Sequence, residues 1–326
     1  MKNMMNSFAL TRRATLMGGL ALMATAPALR AAGVLDVVAT TGMIADGVRR
    51  VGGDAVTVRA LMGPGVDPHG YRQTRSDIVA MTRADLTLWH GLFLEAQMER
   101  FFEELGGKRR VVAVAEALDK GRLLEHADYA GRYDPHVWMA PDIWTDVVTE
   151  IARALTEARP DMAEEFAANA AGYREELAAL STYAGEAVAM VPKETRVLVT
   201  AHDAFSYFGR AYDFEVIGIQ GISTNSEAGL NRISELVDVL VERKIGAVFV
   251  ETSVSDRNMR ALIEGAAARG HEVVIGGSLY SDAMGQEGTY EGTYIGMIDH
   301  NVTTIARALG ADLSPGGMTG RLSSGS

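Results

Sequence analysis

A chain of 326 residues that is 48% hydrophobic and 22% charged has enough apolar content for two cores of ordinary domain size. Its formal charge of −11 argues against nucleic acid as a partner. The lack of cysteine excludes disulfides, thiolate metal ligands and a lipid attached to an N-terminal cysteine.

Residues 1–32 read as a secretory signal peptide, because Lys2, Arg12 and Arg13 precede the apolar run 16–29 and no acidic residue interrupts it. That run is shorter than the roughly 20 residues of a membrane span, and the small residues from Ala26 to Ala32 offer cleavage sites. Thr11-Arg12-Arg13 resembles a twin-arginine export signal, but Ala14-Thr15-Leu16 lacks the bulky apolar pair usual there, so Tat and Sec export both stay open. The mature chain is expected to be a soluble periplasmic monomer without a lipid anchor.

From Val34 onward, short β-rich runs alternate with stretches of helical period. Strands are predicted at 35–39, 56–61, 86–89 and 111–114, and again at 197–200, 215–219, 247–250 and 273–275. Between the two sets, Met162, Phe166, Ala170, Tyr173, Leu177, Leu180, Ala184, Val188 and Val191 recur every three or four residues. This stripe predicts that the linking segment 160–191 is one amphipathic helix, about 46 Å long from Asp161 to Val191 at 1.5 Å per residue, opened by Pro160 and followed by Pro192. The fold class is therefore α/β: two lobes, each a mostly parallel four-stranded sheet with flanking helices, joined by one long rigid helix. The lobes take residues 33–159 and 192–313, and the Gly/Ser-rich tail 314–326 is expected to be disordered.

Candidate chemistry collects where the strands end. Asp-Pro-His occurs twice, as Asp67-Pro68-His69 and Asp134-Pro135-His136, both in loops. His202 follows the strand 197–200, Glu251 follows 247–250, and Asp282 lies in the loop after 273–275. Ligands of open α/β sheets gather beyond the carboxyl ends of strands. If the lobes face each other by those edges, two imidazoles of one lobe meet an imidazole and a carboxylate of the other, a nitrogen and oxygen set suited to a transition metal.

At this point the chain resembles the metal-specific solute-binding proteins of ABC importers, the zinc- and manganese-binding group often called ZnuA/TroA-like. The stretches that carry the resemblance run along the whole mature chain. They include Gly65-Val66-Asp67-Pro68-His69, Trp89-His90-Gly91-Leu92-Phe93-Leu94-Glu95, Asp134-Pro135-His136-Val137-Trp138 and Thr200-Ala201-His202-Asp203-Ala204-Phe205. Gly221-Ile222-Ser223-Thr224, Val250-Glu251-Thr252 and Leu279-Tyr280-Ser281-Asp282 continue it. The resemblance implies two lobes on one rigid helix and a metal between them held by His69, His136, His202 and Asp282. It implies Zn²⁺ as cargo, with Mn²⁺ as the alternative, and the membrane permease of an ABC importer as partner. The histidine-rich acidic loop of many zinc-specific members is missing before Asp134.

Glu251 is expected to fix the tautomer of His202, with substitution as a ligand the alternative. Trp138 and Phe205 are expected to line the site. His90 reads as a hydrogen-bonding loop residue, His126 and His271 as surface groups and His300 as a satisfied helix residue. No enzyme is expected. The rivals from other classes are a zinc metallohydrolase with Glu251 as general base, which would need an open metal position, and an adhesin.

Overall fold

The computed structural model describes residues 33–126, 129–225 and 228–323, so the expected signal peptide 1–32 lies outside the described residues. The first half contains β1 (Leu35–Ala39), α1 (Gly42–Gly52), β2 (Val56–Ala60), α2 (Arg75–Arg83), β3 (Leu86–Trp89), α3 (Glu99–Gly106), β4 (Val111–Ala113) and α4 (Pro141–Ala158). After the connecting helix α5 (Ala163–Ala189), the second half contains β5 (Val197–Thr200), α6 (Ser206–Tyr212), β6 (Glu215–Gly218), α7 (Leu230–Arg243), β7 (Ala247–Glu251), α8 (Arg257–Ala268), β8 (Val274–Leu279) and α9 (Tyr294–Ala308).

Each half forms a four-stranded sheet, ordered β2-β1-β3-β4 and β6-β5-β7-β8, and every strand pair is parallel. The chain order reverses beside β1 in one sheet and beside β5 in the other. Loops leaving β1 and β3, or β5 and β7, therefore diverge and open a crevice at the strand ends. Local chemistry supports the boundaries. Thr74 and Asp77 close a capping box at the start of α2, Pro141 opens α4, and Thr293 caps α9 by accepting from Gly296 N–H.

The strand predictions hold in number and place, with one shift. β8 starts at Val274 and continues through Gly276-Gly277 to Leu279, well past the predicted end at 275. Those glycines admit the helix and ring packed against the strand: a Cβ on Gly277 would lie 2.3 Å from the Thr304 side chain, and one on Gly276 2.9 Å from Phe249. The connecting helix also differs. Residues 160–162 form a tight 3-10 turn and α5 itself spans 27 residues, about 40 Å. Phe166, Ala170, Tyr173, Leu177, Leu180, Ala184 and Val188 are its buried face, as the stripe predicts.

One apolar core runs from the first sheet through α4 and α5 into α9, Phe205 and Phe249 of the second half. Two smaller clusters cover the outer faces of the sheets. The tail expected to be disordered is ordered to Ser323. Met318 N–H donates to the buried Asp299 carboxylate at 2.9 Å, and Ser323 N–H to Glu291 at 2.8 Å. A buried carboxylate offers a peptide N–H a stronger partner than water, which holds down a segment of low-hydrophobicity sequence.

Candidate metal centre

His69, His136, His202 and Asp282 each offer a ligating atom within 4.8 Å of the others, and all four side chains are buried. His69 Nε2 lies 3.3 Å from His136 Nε2. Asp282 sits between two rings, with Oδ1 3.4 Å from His136 Nε2 and Oδ2 3.3 Å from His202 Nε2. His202 Nε2 and Asp282 Oδ1 are fully buried and make no hydrogen bond of good geometry. Polar atoms left this way are costly unless something in the shared space satisfies them.

Two imidazoles are aimed by carboxylates of their own lobes. Asp134 accepts from both the backbone N–H and Nδ1 of His136, at 2.9 and 2.7 Å. Glu251, the last residue of β7, does the same for His202 from the neighbouring strand, at 2.9 and 2.5 Å. A carboxylate on Nδ1 leaves Nε2 facing the cage. Both Glu251 oxygens are bonded to His202.

Sequence reasoning underrated the support of the second Asp-Pro-His turn. His90, fully buried beside Trp138 and Trp144, donates from Nε2 to the Pro135 carbonyl at 2.7 Å. Its loop turns through three consecutive positive φ values at Gly91 (85°), Leu92 (52°) and Phe93 (69°). Such a turn is strained for Leu and Phe. Glu95 holds it by accepting from His90 and Gly91 N–H and from the Thr40 hydroxyl at 2.8, 3.2 and 2.6 Å, while Glu116 accepts from Leu92 N–H at 3.0 Å. The signal lay in the stretch from Trp89 to Glu95, where a buried carboxylate follows a glycine turn.

The lobes are tied at the site. Trp138 touches the His136 ring, with centroids 5.2 Å apart, and donates from Nε1 to the Ser281 carbonyl at 2.8 Å, joining the His136 loop to the Asp282 loop. Phe205 packs in the core against Phe208 and is buried. His126 is not a surface group: it is 6% exposed, with its ring on Tyr129 and its N–H bonded to the Arg132 carbonyl. The antiparallel bridge between Glu125 and Tyr133 lies beside it, a contact between residues too far apart for a local pattern to show. His271 is half-buried on the Ile245 carbonyl, and His300 bonds the Ser278 carbonyl from α9. A cleft of ≈ 350 Å³, with Arg49, Arg59, Met62, Pro64 and Met284 on its walls, lies beside Asp282.

Charge follows from this geometry. Burial lowers the affinity of His136 for a proton, but Asp134 and Asp282 outweigh it and raise its pKa to about 9. Against the same burial, Glu251 and Asp282 raise His202 well above its usual value. Asp282 is driven well below the carboxylate range, since His202 and His136 outweigh its burial. His69 goes the other way, lowered to about 3 by burial and by repulsion from the other two rings. These shifts favour the protonated form of His136 and His202, the ionised form of Asp282 and the neutral form of His69.

Residues 37–308 match the sequence profile of the family described as the zinc-uptake complex component A, periplasmic. The manganese-binding lipoprotein MntA of Bacillus subtilis is 48% identical over 275 residues, 84% of this chain and 90% of that protein. The zinc-binding protein TroA of Treponema pallidum is 45% identical over 273 residues, 84% and 88% of the two. The iron-binding protein YfeA of Yersinia pestis is 33% identical over 274 residues, 84% and 86%. The solved structure of TroA from Treponema pallidum superposes with a TM-score of 0.83 and 45% identity, covering 85% of this chain and 99% of that one.

Proposed function

Given that the chain belongs to the family of the periplasmic zinc-uptake complex component A, we propose that it captures one divalent transition-metal ion between its lobes and delivers it to the permease of an ABC importer. His69, His136, His202 and Asp282 are the proposed ligands. The observation that carries the reading is that His202 Nε2 and Asp282 Oδ1, both fully buried and without a hydrogen bond of good geometry, lie among the three imidazoles. Three nitrogen donors and a carboxylate suit Zn²⁺ first and Mn²⁺ next, consistent with relatives named for both metals. The relative MntA is named a lipoprotein, whereas these 326 residues contain no cysteine to carry such a lipid. Among the described residues no helix is long and apolar enough to cross a membrane. We place the protein in the periplasm, acting as a monomer.

A hydrolytic role finds no support in the geometry. Four protein ligands close the coordination sphere, and Glu251, the available general base, has both oxygens bonded to His202. The direct test is metal analysis of purified protein followed by competitive titration after demetallation. One tightly bound ion per chain is expected; a protein that retains and rebinds none would end the proposal.

A further inference from the structure

His69 differs from the other two imidazoles in how it is held. Carboxylates of their own lobes grip His136 and His202 at Nδ1, whereas among the described residues no carboxylate lies within ion-pair distance of the His69 ring. His69 is fixed through its backbone instead. Asp67 Oδ1 accepts from His69 N–H at 2.8 Å, and the other Asp67 oxygen accepts from the Thr224 hydroxyl at 2.6 Å. Asn225 Nδ2 donates to the His69 carbonyl at 3.0 Å, with its Oδ1 over Gly70. Thr224 and Asn225 follow β6 in the second lobe, so both bonds cross between the lobes.

We propose that Thr224 and Asn225 form an inter-lobe clasp that positions His69 and sets how long the metal stays bound. This rests on the ligand assignment above. The other ties to the His136 loop, Trp138 to the Ser281 carbonyl, Tyr207 O–H to the Asp134 carbonyl and Tyr294 O–H to the Trp138 carbonyl, are buried, while Thr224 is half-buried and Asn225 exposed. Water can compete for the clasp and not for these buried bonds, so the clasp is the tie that opens first. Once it opens, the Asp67–His69 turn is free to carry its imidazole away from the cage without disturbing either sheet. Thr224 and Asn225 touch no metal, and their action is on the lifetime of a ligand.

The test uses the full chain loaded with Zn²⁺ and mixed rapidly with excess chelator, following metal release. The double variant Thr224→Ala with Asn225→Ala loses two hydrogen bonds, one of them to a carboxylate, and should release Zn²⁺ roughly tenfold faster or more. Its uptake rate should stay near that of the unaltered protein. Thr224→Ser keeps the hydroxyl and should release at the unaltered rate. Asn169→Ala is the control, because Asn169 Nδ2 makes a comparable 3.0 Å bond to the Val51 carbonyl far from the cage; it should leave release unchanged. Release by the double variant at the unaltered rate would overturn the clasp. Equal acceleration in Asn169→Ala would overturn it as general loosening. Failure of the unaltered chain to take up Zn²⁺ would instead refute the ligand assignment, and the clasp with it.

Discussion

Glu251 Oε2 lies 2.5 Å from His202 Nδ1, and Glu251 Oε1 accepts from the backbone N–H of the same residue at 2.9 Å. One carboxylate at the end of β7 thus fixes both the ring and the backbone of a residue beyond the end of β5. Glu251→Gln keeps the shape but removes the charge that favours the Nδ1–H tautomer. Metal affinity is expected to fall about 10- to 100-fold, the usual cost of losing a partner behind a ligand. Asp282→Ala, which removes a proposed ligand, should cost more. Competitive titration of both variants against one chelator decides the order, and the reverse ranking would exchange their roles.

Proton release gives a second measurement. At pH 7 the metal-free cage holds protons on His136, with its pKa of about 9, and on His202, raised well above its usual value. A metal on Nε2 must displace both, so uptake at pH 7 should release close to two protons, read from calorimetry in buffers of different ionisation enthalpy. Apparent affinity should then climb roughly a hundredfold per pH unit around neutrality, about tenfold for each proton displaced. Ordinary imidazoles near pH 6.5 would confine metal loss to about pH 7 to 5. The paired rings extend the proton competition up to about pH 9. Release of no protons at pH 7 would refute the paired imidazolium state.

The same shift makes a statement about the stability of the metal-free protein. A histidine whose folded pKa is raised contributes stability that is fully present below its unfolded pKa and lost as pH rises through the folded value. For His136 that window runs from about pH 6.5 to about 9. Demetallated protein should therefore lose stability across it. His136→Gln should flatten the slope, and denaturant titration at three pH values would show whether it does.

The connection between the lobes is a shared core as much as a helix. Leu180 of α5 is fully buried in a cluster that includes Trp138 and Val148 of the first half and Phe249 and Ile298 of the second. Leu180→Ala should cost about 2–5 kcal/mol. Because both halves lose packing, the metal-free variant should still unfold in one cooperative transition. Two separated transitions, one unmoved by the substitution, would show that the lobes do not share this core.

Much of this was legible in the sequence because the physical signals were local. The eight strands announced themselves as short runs of branched and aromatic residues, and the buried stripe of α5 by its three-and-four spacing. Where signals were non-local, the reading fell short. Gly276 and Gly277 broke the pattern of β8, although they are the residues that admit Thr304 and Phe249 against the strand. His126 looks exposed among Leu124, Glu125 and Ala127, yet it is buried beside the antiparallel bridge from Glu125 to Tyr133, with its ring against Tyr129. The tail after Leu313 carries little apolar content, and its anchor, Asp299, lies on α9. At the cage, spacing brought Glu251 and Asp282 to the same edge but could not show that Glu251 bonds His202; that depends on β7 lying beside β5 in the strand order.

The metal preference turns on Asp282. Its two oxygens address different imidazoles, Oδ1 toward His136 and Oδ2 toward His202, so a central ion would meet both. Three nitrogens and two oxygens make five donor atoms, one more than the four of a tetrahedral zinc site. Zn²⁺ should still bind more tightly than Mn²⁺, since the order of affinities for nitrogen and oxygen sites places it higher. The ions should part company in Asp282→Asn, which leaves one carbonyl oxygen and no charge. Mn²⁺, which prefers carboxylate oxygen and more donors, should lose affinity by a larger factor than Zn²⁺, which keeps its three imidazoles. Competitive titration of both ions on the unaltered and Asp282→Asn proteins measures the two ratios. Equal loss for both would mean that Asp282 serves through a single oxygen, and that the cage is shaped for zinc rather than open to either ion.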